Sequence, residues 1–88
     1  KKLYIGKIVN FFPKISVAEI KFETNETLEI NDKIMVIGAT TGVVEENISE
    51  IREDLIPVEK VKQGSLFSIR VNTLLRRGDK LYKIIKAN

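Results

Sequence analysis

The chain has 88 residues, 43% of them hydrophobic and 31% charged, which suits one domain with one core. Its net charge is +3, and the sequence contains neither Cys nor His. Their absence excludes disulfides, thiolate chemistry, cysteine zinc sites and an imidazole general base from these residues. No apolar run approaches the roughly 20 residues of a membrane helix, so we expect no membrane association.

The charge is unevenly distributed along the chain. Residues 1–50 contain 6 Lys/Arg against 8 Asp/Glu, whereas residues 51–88 contain 9 against 4. A basic half can attract phosphate groups or an acidic partner, and the simpler alternative is a solvated exterior. The sequence begins at Lys1, already within a strand-like pattern, and is therefore interpreted as a fragment of a longer, cytoplasmic protein.

The pattern of short apolar segments between turns predicts an all-β domain over residues 1–88. Gly6 within the first strand predicts a bulge or a close backbone approach, and Pro57 restricts its segment to a sheet edge. In the second strand, Ala18, Ile20 and Phe22 are expected to face inward. The predicted strands are 3–12, 17–22, 33–37, 43–52, 55–58, 65–71 and 81–85. A loop is expected at 23–30 and a turn at 61–64.

Segment 43–52 is ambiguous, because the spacing of Val44, Ile48 and Ile51 also fits a helix. We predict a strand, because its neighbours are all strands and no helix cap is evident. The change of phase between Ile48 and Ile51 requires a bulge near Ser49.

Two similar turns organise the prediction. In each, a residue that tolerates positive φ precedes an Asp, a Lys and an apolar strand: Asn31-Asp32 in the first and Gly78-Asp79 in the second. The Asp side chain can bond the backbone and hold the turn. We therefore expect the two turns to begin neighbouring inner strands of a small, closed or partly open antiparallel β-barrel of about six to seven strands.

Other motifs favour structure over chemistry. Gly38 and Gly42 bracket a loop that lacks the Lys and the helix of a phosphate-binding loop, so a hairpin is predicted. Gly64 is predicted to supply positive φ in its turn. The Arg-Gly-Asp string at residues 77–79 is required by the turn itself. Glu45, Glu46 and Glu50 are interpreted as surface carboxylates, since no further metal ligands accompany them. No catalytic residue, metal or cofactor is predicted.

The order of these motifs resembles the C-terminal domain of the collagenase-like peptidase family U32, in its Bacteroidetes-type form. The resemblance rests on Tyr4-Ile-Gly-Lys-Ile-Val, Pro13-Lys-Ile-Ser-Val-Ala-Glu-Ile, Asp32 to Gly42, Ile51-Arg52, Pro57 to Gly64, and Arg76 to Tyr82. More distantly, the chain resembles domain 2 of elongation factor Tu. Asn31 stands where relatives usually have Gly, and Gly64-Ser65 stands where translation factors usually have Gly-Asp.

The resemblance implies a non-catalytic accessory barrel attached to an enzyme, either a peptidase or an RNA-modifying enzyme. Its partners would be its own N-terminal catalytic domain and RNA, and the isolated fragment could self-associate. The residues chosen for RNA contact are Lys60, Lys62, Arg70, Arg76, Arg77, Lys80 and Lys83. Two alternatives stay open: a purely structural interaction module, and a stand-alone RNA-binding barrel like those of translation factors. A hydrolytic fragment is disfavoured by the missing His, Cys and Ser-Lys motif.

Overall fold

The computed structural model describes residues 1–86, and all of its regular structure is antiparallel β-strand, as predicted. Ten strands are present where six to seven were predicted, because four of them are short three-residue strands. The strands are β1 Lys2–Phe12, β2 Val17–Phe22, β3 Thr27–Glu29, β4 Lys33–Gly38, β5 Gly42–Asn47, β6 Ile51–Glu53, β7 Ile56–Val58, β8 Lys60–Lys62, β9 Leu66–Arg70 and β10 Lys80–Ile84.

Eight of the strands form one sheet in the order β5-β4-β10-β1-β2-β9-β6-β7, and β3 and β8 form a separate ribbon. β7 therefore lies at an edge, where Pro57 is tolerated because its missing N–H removes no ladder bond. The chain ends of the sheet also meet: the Lys1 carbonyl accepts the Ile85 N–H at 2.9 Å, and the Lys1 amino group donates to the Ile85 carbonyl at 3.1 Å.

The two predicted turns have the same internal geometry. Asn31 has φ 77° and Gly78 has φ 89°, the left-handed conformation that their residue types tolerate. Asp32 Oδ2 accepts the Glu29 N–H at 2.9 Å, and Asp79 Oδ2 accepts the Arg76 N–H at 2.9 Å. Each Asp therefore closes its own turn through the backbone three residues earlier, as expected.

Each turn is also bonded, through two of its backbone groups, to one buried isoleucine that is distant in sequence. Asn31 N–H donates to the Ile48 carbonyl, and Ile48 N–H donates to the Asp32 carbonyl, both at 2.9 Å. At the other turn, Gly78 N–H donates to Ile8 at 2.8 Å, and Ile8 N–H donates to the Asp79 carbonyl at 2.9 Å. With the Asp side-chain bond, the same three-bond arrangement thus occurs at both turns.

The strands that follow the turns, β4 and β10, pair directly with each other. In their register Lys33 lies opposite Ile84 and Lys80 lies opposite Ile37. The residue after each turn Asp therefore faces the fifth residue after the other Asp, so the two units are related by a local two-fold axis. The expectation that the two turns begin neighbouring strands is confirmed.

The prediction of one continuous strand over 43–52 was wrong. The segment forms β5 and then β6, with residues 48–50 between them outside any strand. The break occurs because Ile48 gives both its N–H and its carbonyl to the Asn31-Asp32 turn. The predicted loop at 23–30 contains β3, and the predicted turn at 61–64 begins within β8, because these two strands pair with each other.

The core consists of 16 hydrophobic residues with exposures of 3% or less. Ala18, Ile20 and Phe22 all belong to it, as predicted, and the Phe22 and Phe67 rings pack with centroids 5.8 Å apart. Burying one such large side chain contributes about 1.5–3 kcal/mol. Leu66 is 48% exposed although it precedes the buried Phe67, because it lies on the side of β9 that faces away from the core.

Gly6 satisfies both expectations for its position. The register of β1 against β10 shifts between Tyr4 and Gly6, and a Cβ at Gly6 would lie 1.8 Å from the Lys21 carbonyl oxygen.

We expect Gly6→Ala to lower the free energy of unfolding by about 2–3 kcal/mol, because the backbone at Lys21 must move to make room for the methyl group. Gly42→Ala, where only positive φ is at stake, should cost about 1 kcal/mol. Urea unfolding compares them, and equal losses would contradict the packing argument.

The two turn aspartates differ in burial. Asp79 is 5% exposed, accepts the Thr41 hydroxyl as well as the Arg76 N–H, and packs against Gly38, whose Cβ would overlap its Oδ1. Asp32 is half-buried.

We expect Asp79→Asn to lower the free energy of unfolding by about 2 kcal/mol or more, and Asp32→Asn to lower it by about 1 kcal/mol. Thermal or urea unfolding of the pair measures the difference, and a costlier Asp32 variant would disprove this ranking.

Candidate interaction surfaces

The basic residues selected from the sequence lie in three separate places. Lys60 and Lys62 on β8, together with Lys83, lie towards the Asn31-Asp32 turn. Arg76, Arg77 and Lys80 lie at the Gly78-Asp79 turn, at the opposite end of β4, about 17 Å away for a six-residue strand. Arg70 ends β9 opposite Val17. The structure therefore brings together two groups of three and leaves Arg70 apart.

Lys83 is engaged within the fold. Its Nζ lies 3.4 Å from Asp32 Oδ2 and donates to the Thr27 carbonyl at 3.1 Å, and its side chain is 19% exposed. These contacts tie β10 to β3 and to the first turn. Lys83 therefore has a structural role in addition to any role in binding.

The Gly78 turn carries concentrated positive charge. Arg76, Arg77 and Lys80 are all exposed, and Lys7 on β1 pairs directly with Lys80. Like charges opposite each other destabilise a sheet slightly, and a bound anion would relieve their repulsion. Arg77 Nη2 donates to Asn10 Oδ1 at 2.9 Å, which holds one guanidinium across β1.

The outer face of β5, β4, β10 and β1 combines apolar side chains with lysines. Ile34, Val36 and Leu81 are buried, so the residues that alternate with them in β4 and β10 point outward. Three cross-strand rows result, and we call them together the outer face: Val43, Ile37, Lys80 and Lys7; Glu45, Met35, Tyr82 and Tyr4; and Asn47, Lys33, Ile84 and Lys2.

Tyr4 and Tyr82 form the aromatic centre of this face. Their rings are in edge-to-face contact with centroids 5.6 Å apart, and Lys2 Nζ lies 4.7 Å from the Tyr82 centroid. The Tyr4 hydroxyl donates to Glu23 Oε2 at 3.2 Å. Burial, followed by the charge and hydrogen bond of Glu23, raises the pKa of Tyr4 to about 12.

The three glutamates considered from the sequence each have a structural contact. Glu45 lies 3.0 Å from Lys33 Nζ, and Glu46 accepts the Asn72 N–H at 2.9 Å. Glu50 pairs with Arg52, whose hydrogen bond lowers the pKa of that carboxyl. Their interpretation as surface carboxylates agrees with these contacts. In residues 1–86 no three acidic side chains are grouped so as to hold a metal ion.

No helix capable of crossing a membrane occurs among the residues that the structure describes.

Sequence reasoning missed two neighbouring apolar side chains that are largely exposed to solvent. Leu55, between β6 and β7, is 86% exposed, and Ile56 beside it is 63% exposed. The sequence signal available was Asp54-Leu55 at a position where a hairpin turn usually has Asp-Gly.

No family model matches the chain. Over 86 residues, 98% of this chain, it is 42% identical to a collagenase of Porphyromonas gingivalis, and it covers 20% of that protein. Over 82 residues, 93% of this chain, it is 43% identical to an uncharacterized protease of Methanocaldococcus jannaschii, again covering 20% of it. The chain therefore spans about a fifth of the length of these relatives.

The fold is similar to a solved structure, the C-terminal domain of a U32 peptidase of Geobacillus thermoleovorans. The TM-score is 0.85 with 12% sequence identity, and the match covers 93% of this chain and 92% of that one. The selenomethionine variant of the same domain gives a TM-score of 0.83 with 11% identity. At this identity the likeness shows a shared fold.

The Tyr4 hydroxyl provides a test of the outer face by pH. Because the folded pKa, about 12, is above the ordinary value of 10.0, Tyr4 stabilises the fold fully below pH 10 and loses that contribution between pH 10 and 12. The sequence has two Tyr and no Trp, so absorbance at 295 nm reports their ionisation. We expect Tyr4→Phe to remove the component that titrates near pH 12, and Glu23→Gln to lower its pKa. A Tyr4 that titrates near pH 10 would refute this geometry.

Proposed function

We propose that this chain, which belongs to the collagenase-like U32 peptidase family and has the fold of a C-terminal domain from it, is a non-catalytic accessory module of a larger enzyme. The observation that carries the proposal is the extent of the similarity. Identity of 42% runs along 98% of this chain, which nevertheless covers only 20% of the collagenase. A segment with a core of its own is thus present as one part of a much longer protein.

In this proposal the remaining part of the parent carries out the chemistry, and this module binds that part or holds a macromolecular substrate against it. The side chains available here support a binding role better than a reacting one. The carboxylates of Asp32, Asp79, Glu45 and Glu46 are engaged with backbone N–H groups or lysines that maintain the fold. The Porphyromonas relative is named a collagenase. That the parent of this chain also acts on proteins is part of the proposal.

Removal of residues 1–88 from the parent tests the accessory role. We expect kcat on a short peptide substrate to be unchanged, because the reacting groups lie elsewhere. On a large substrate we expect KM to rise about tenfold or more, because the second point of contact is lost. A deletion that abolishes turnover of the short peptide, in a parent whose remaining fold is intact by circular dichroism, would overturn the proposal.

A second candidate function, RNA binding, is favoured by the charge at the Gly78 turn. Arg76, Arg77 and Lys80 are exposed there and Lys7 adjoins them, so four cations are available to phosphate groups. The guanidinium of Arg can bond two phosphate oxygens at once. In this proposal the module would hold an RNA substrate by its backbone.

Paired charge-removal variants distinguish this site from general basicity. We expect Arg76→Gln/Arg77→Gln/Lys80→Gln to weaken tRNA binding and to reduce the slope of log affinity against log salt by about 2, as three lost contacts to single-stranded RNA imply. The control Lys60→Gln/Lys62→Gln, at the other end of β4, should change the slope by less. Filter binding or fluorescence anisotropy measures both. A wild-type parent without salt-dependent tRNA binding would eliminate the RNA hypothesis and leave the accessory role standing.

A further inference from the structure

The exposed large hydrophobic residues are concentrated towards the β2-β9-β6-β7 end of the main sheet, away from strands β5, β4 and β10. Among the described residues seven such side chains are prominent, and five lie on β9, on the β6–β7 hairpin or beside the β1–β2 turn: Phe12, Ile15, Leu55, Ile56 and Leu66. Val43 and Leu74 lie elsewhere. Single exposed apolar residues are common on proteins, whereas a group of them marks an interaction site.

The centre of this group is the tip of the β6–β7 hairpin, residues 54–56. Glu53 pairs with Ile56, so the hairpin loop has two residues, and both have positive φ: 53° at Asp54 and 66° at Leu55. This turn strongly favours Gly or Asn at its second central position. A leucine there costs about 1–2 kcal/mol relative to a residue that accepts the left-handed region. Leu55 is thus unfavourable both in conformation and in its exposure to water.

Local contacts hold the tip in place. β6 is paired on both sides, with β7 and with β9, so the base of the hairpin is part of the main sheet. Glu53 accepts a hydrogen bond from the Ser65 hydroxyl, and Arg52 pairs with Glu50. The tip therefore presents Leu55 from a fixed base, which reduces the entropy lost when a partner binds.

Two grooves flank the tip, and each is lined by apolar as well as charged or polar residues. Leu55, Ile15, Val17 and Ile69 line one of them together with Glu50, Arg52, Ser68 and Arg70. On the other side Ile56 borders a groove with Val58 and Leu66. A partner that receives the tip would bury side chains on both flanks as well as Leu55.

The composition of the tip selects the kind of partner. Pro57 removes a backbone donor from β7, which disfavours addition of a strand at this edge. Glu53 and Asp54 would repel RNA phosphates and an anionic membrane surface. A symmetric contact between the tips of two copies would bring one Asp54 against the other. An apolar pocket on a protein surface fits best.

We infer that the β6–β7 tip is the anchor by which this module docks on the remaining four-fifths of its parent, with Leu55 inserted into an apolar pocket there. This inference rests on the proposed function, and it names the surface that the proposed function leaves open. The relatives supply the occupant, because the chain covers 20% of the collagenase and 20% of the archaeal protease. A large partner surface therefore belongs to the same polypeptide. The outer face and the Gly78 turn share no residue with this tip, so in this inference their side chains are left to the substrate.

The test uses the parent with a specific protease site inserted ahead of Lys1. After cleavage, size-exclusion chromatography measures how much of the 1–88 segment stays bound to the remainder. We expect Leu55→Asn to weaken retention about tenfold or more, as hot-spot residues do. Asn and Gly are both suited to positive φ, so Leu55→Asn and Leu55→Gly should leave the segment at least as resistant to urea as the wild type. The matched control is Val43→Asn, which removes a side chain of 63% exposure from the outer face and should leave retention unchanged.

The outcomes separate the inference from the proposed function. Retention that is equal in wild type and in both Leu55 variants overturns the tip as anchor, even where deletion of the module still raises KM. Retention that Val43→Asn weakens and Leu55→Asn does not would assign docking to the outer face instead. Release of the wild-type segment immediately after cleavage overturns the docking inference, whereas the accessory role stands or fails by the deletion experiment. A segment that dimerises through Leu55 would identify a second copy as the occupant and also overturn it.

Discussion

The fold depends on a pair of backbone arrangements in which a tight turn is bonded on both sides to a buried isoleucine. At one, Asn31 and Asp32 bond Ile48, and at the other, Gly78 and Asp79 bond Ile8. Each arrangement satisfies backbone groups that burial would otherwise leave unpaired, at a cost of about 1–3 kcal/mol per group. Because β4 and β10 start from these turns and pair with each other antiparallel, this pair of strands is fixed at both of its ends.

The symmetry of the two turns is not reproduced by their side chains. Asp79 is buried against Gly38 and Thr41, whereas Asp32 is half-buried and pairs with Lys83. One end of the sheet is therefore closed by tight packing and the other by an ion pair with a lysine that also bonds Thr27. The exposed side chains of Arg76, Arg77 and Lys80 lie at the tightly packed end, where the backbone of the turn is already fixed.

The local features of the fold could be predicted from the sequence, because the chemistry that determines them lies within a few residues. Asn31-Asp32 and Gly78-Asp79 identified the turns, the alternation of Ala18, Ile20 and Phe22 identified a buried face, and Gly6 identified a bulge. The break between β5 and β6 could not be predicted, because Ile48 bonds a turn that lies far from it in sequence.

The contact surfaces were harder to predict than the fold. Seven basic residues between positions 60 and 83 were assigned together, yet the register places them at different ends of the sheet. Leu55 becomes notable only when Glu53 and Ile56 are known to be paired. The likeness to elongation factor Tu stays a prediction.

The pairing of Lys1 with Ile85 has a mechanical consequence. Their two reciprocal backbone bonds place the first and the last described parts of the sheet side by side. A polypeptide joined ahead of Lys1 would enter beside the point where one joined after Ile85 would leave. A domain linked to its neighbours at one point can rotate about that point, so the link alone does not fix its orientation. A second contact, made by a rigid projection such as the β6–β7 tip, would restrict the domain to one orientation.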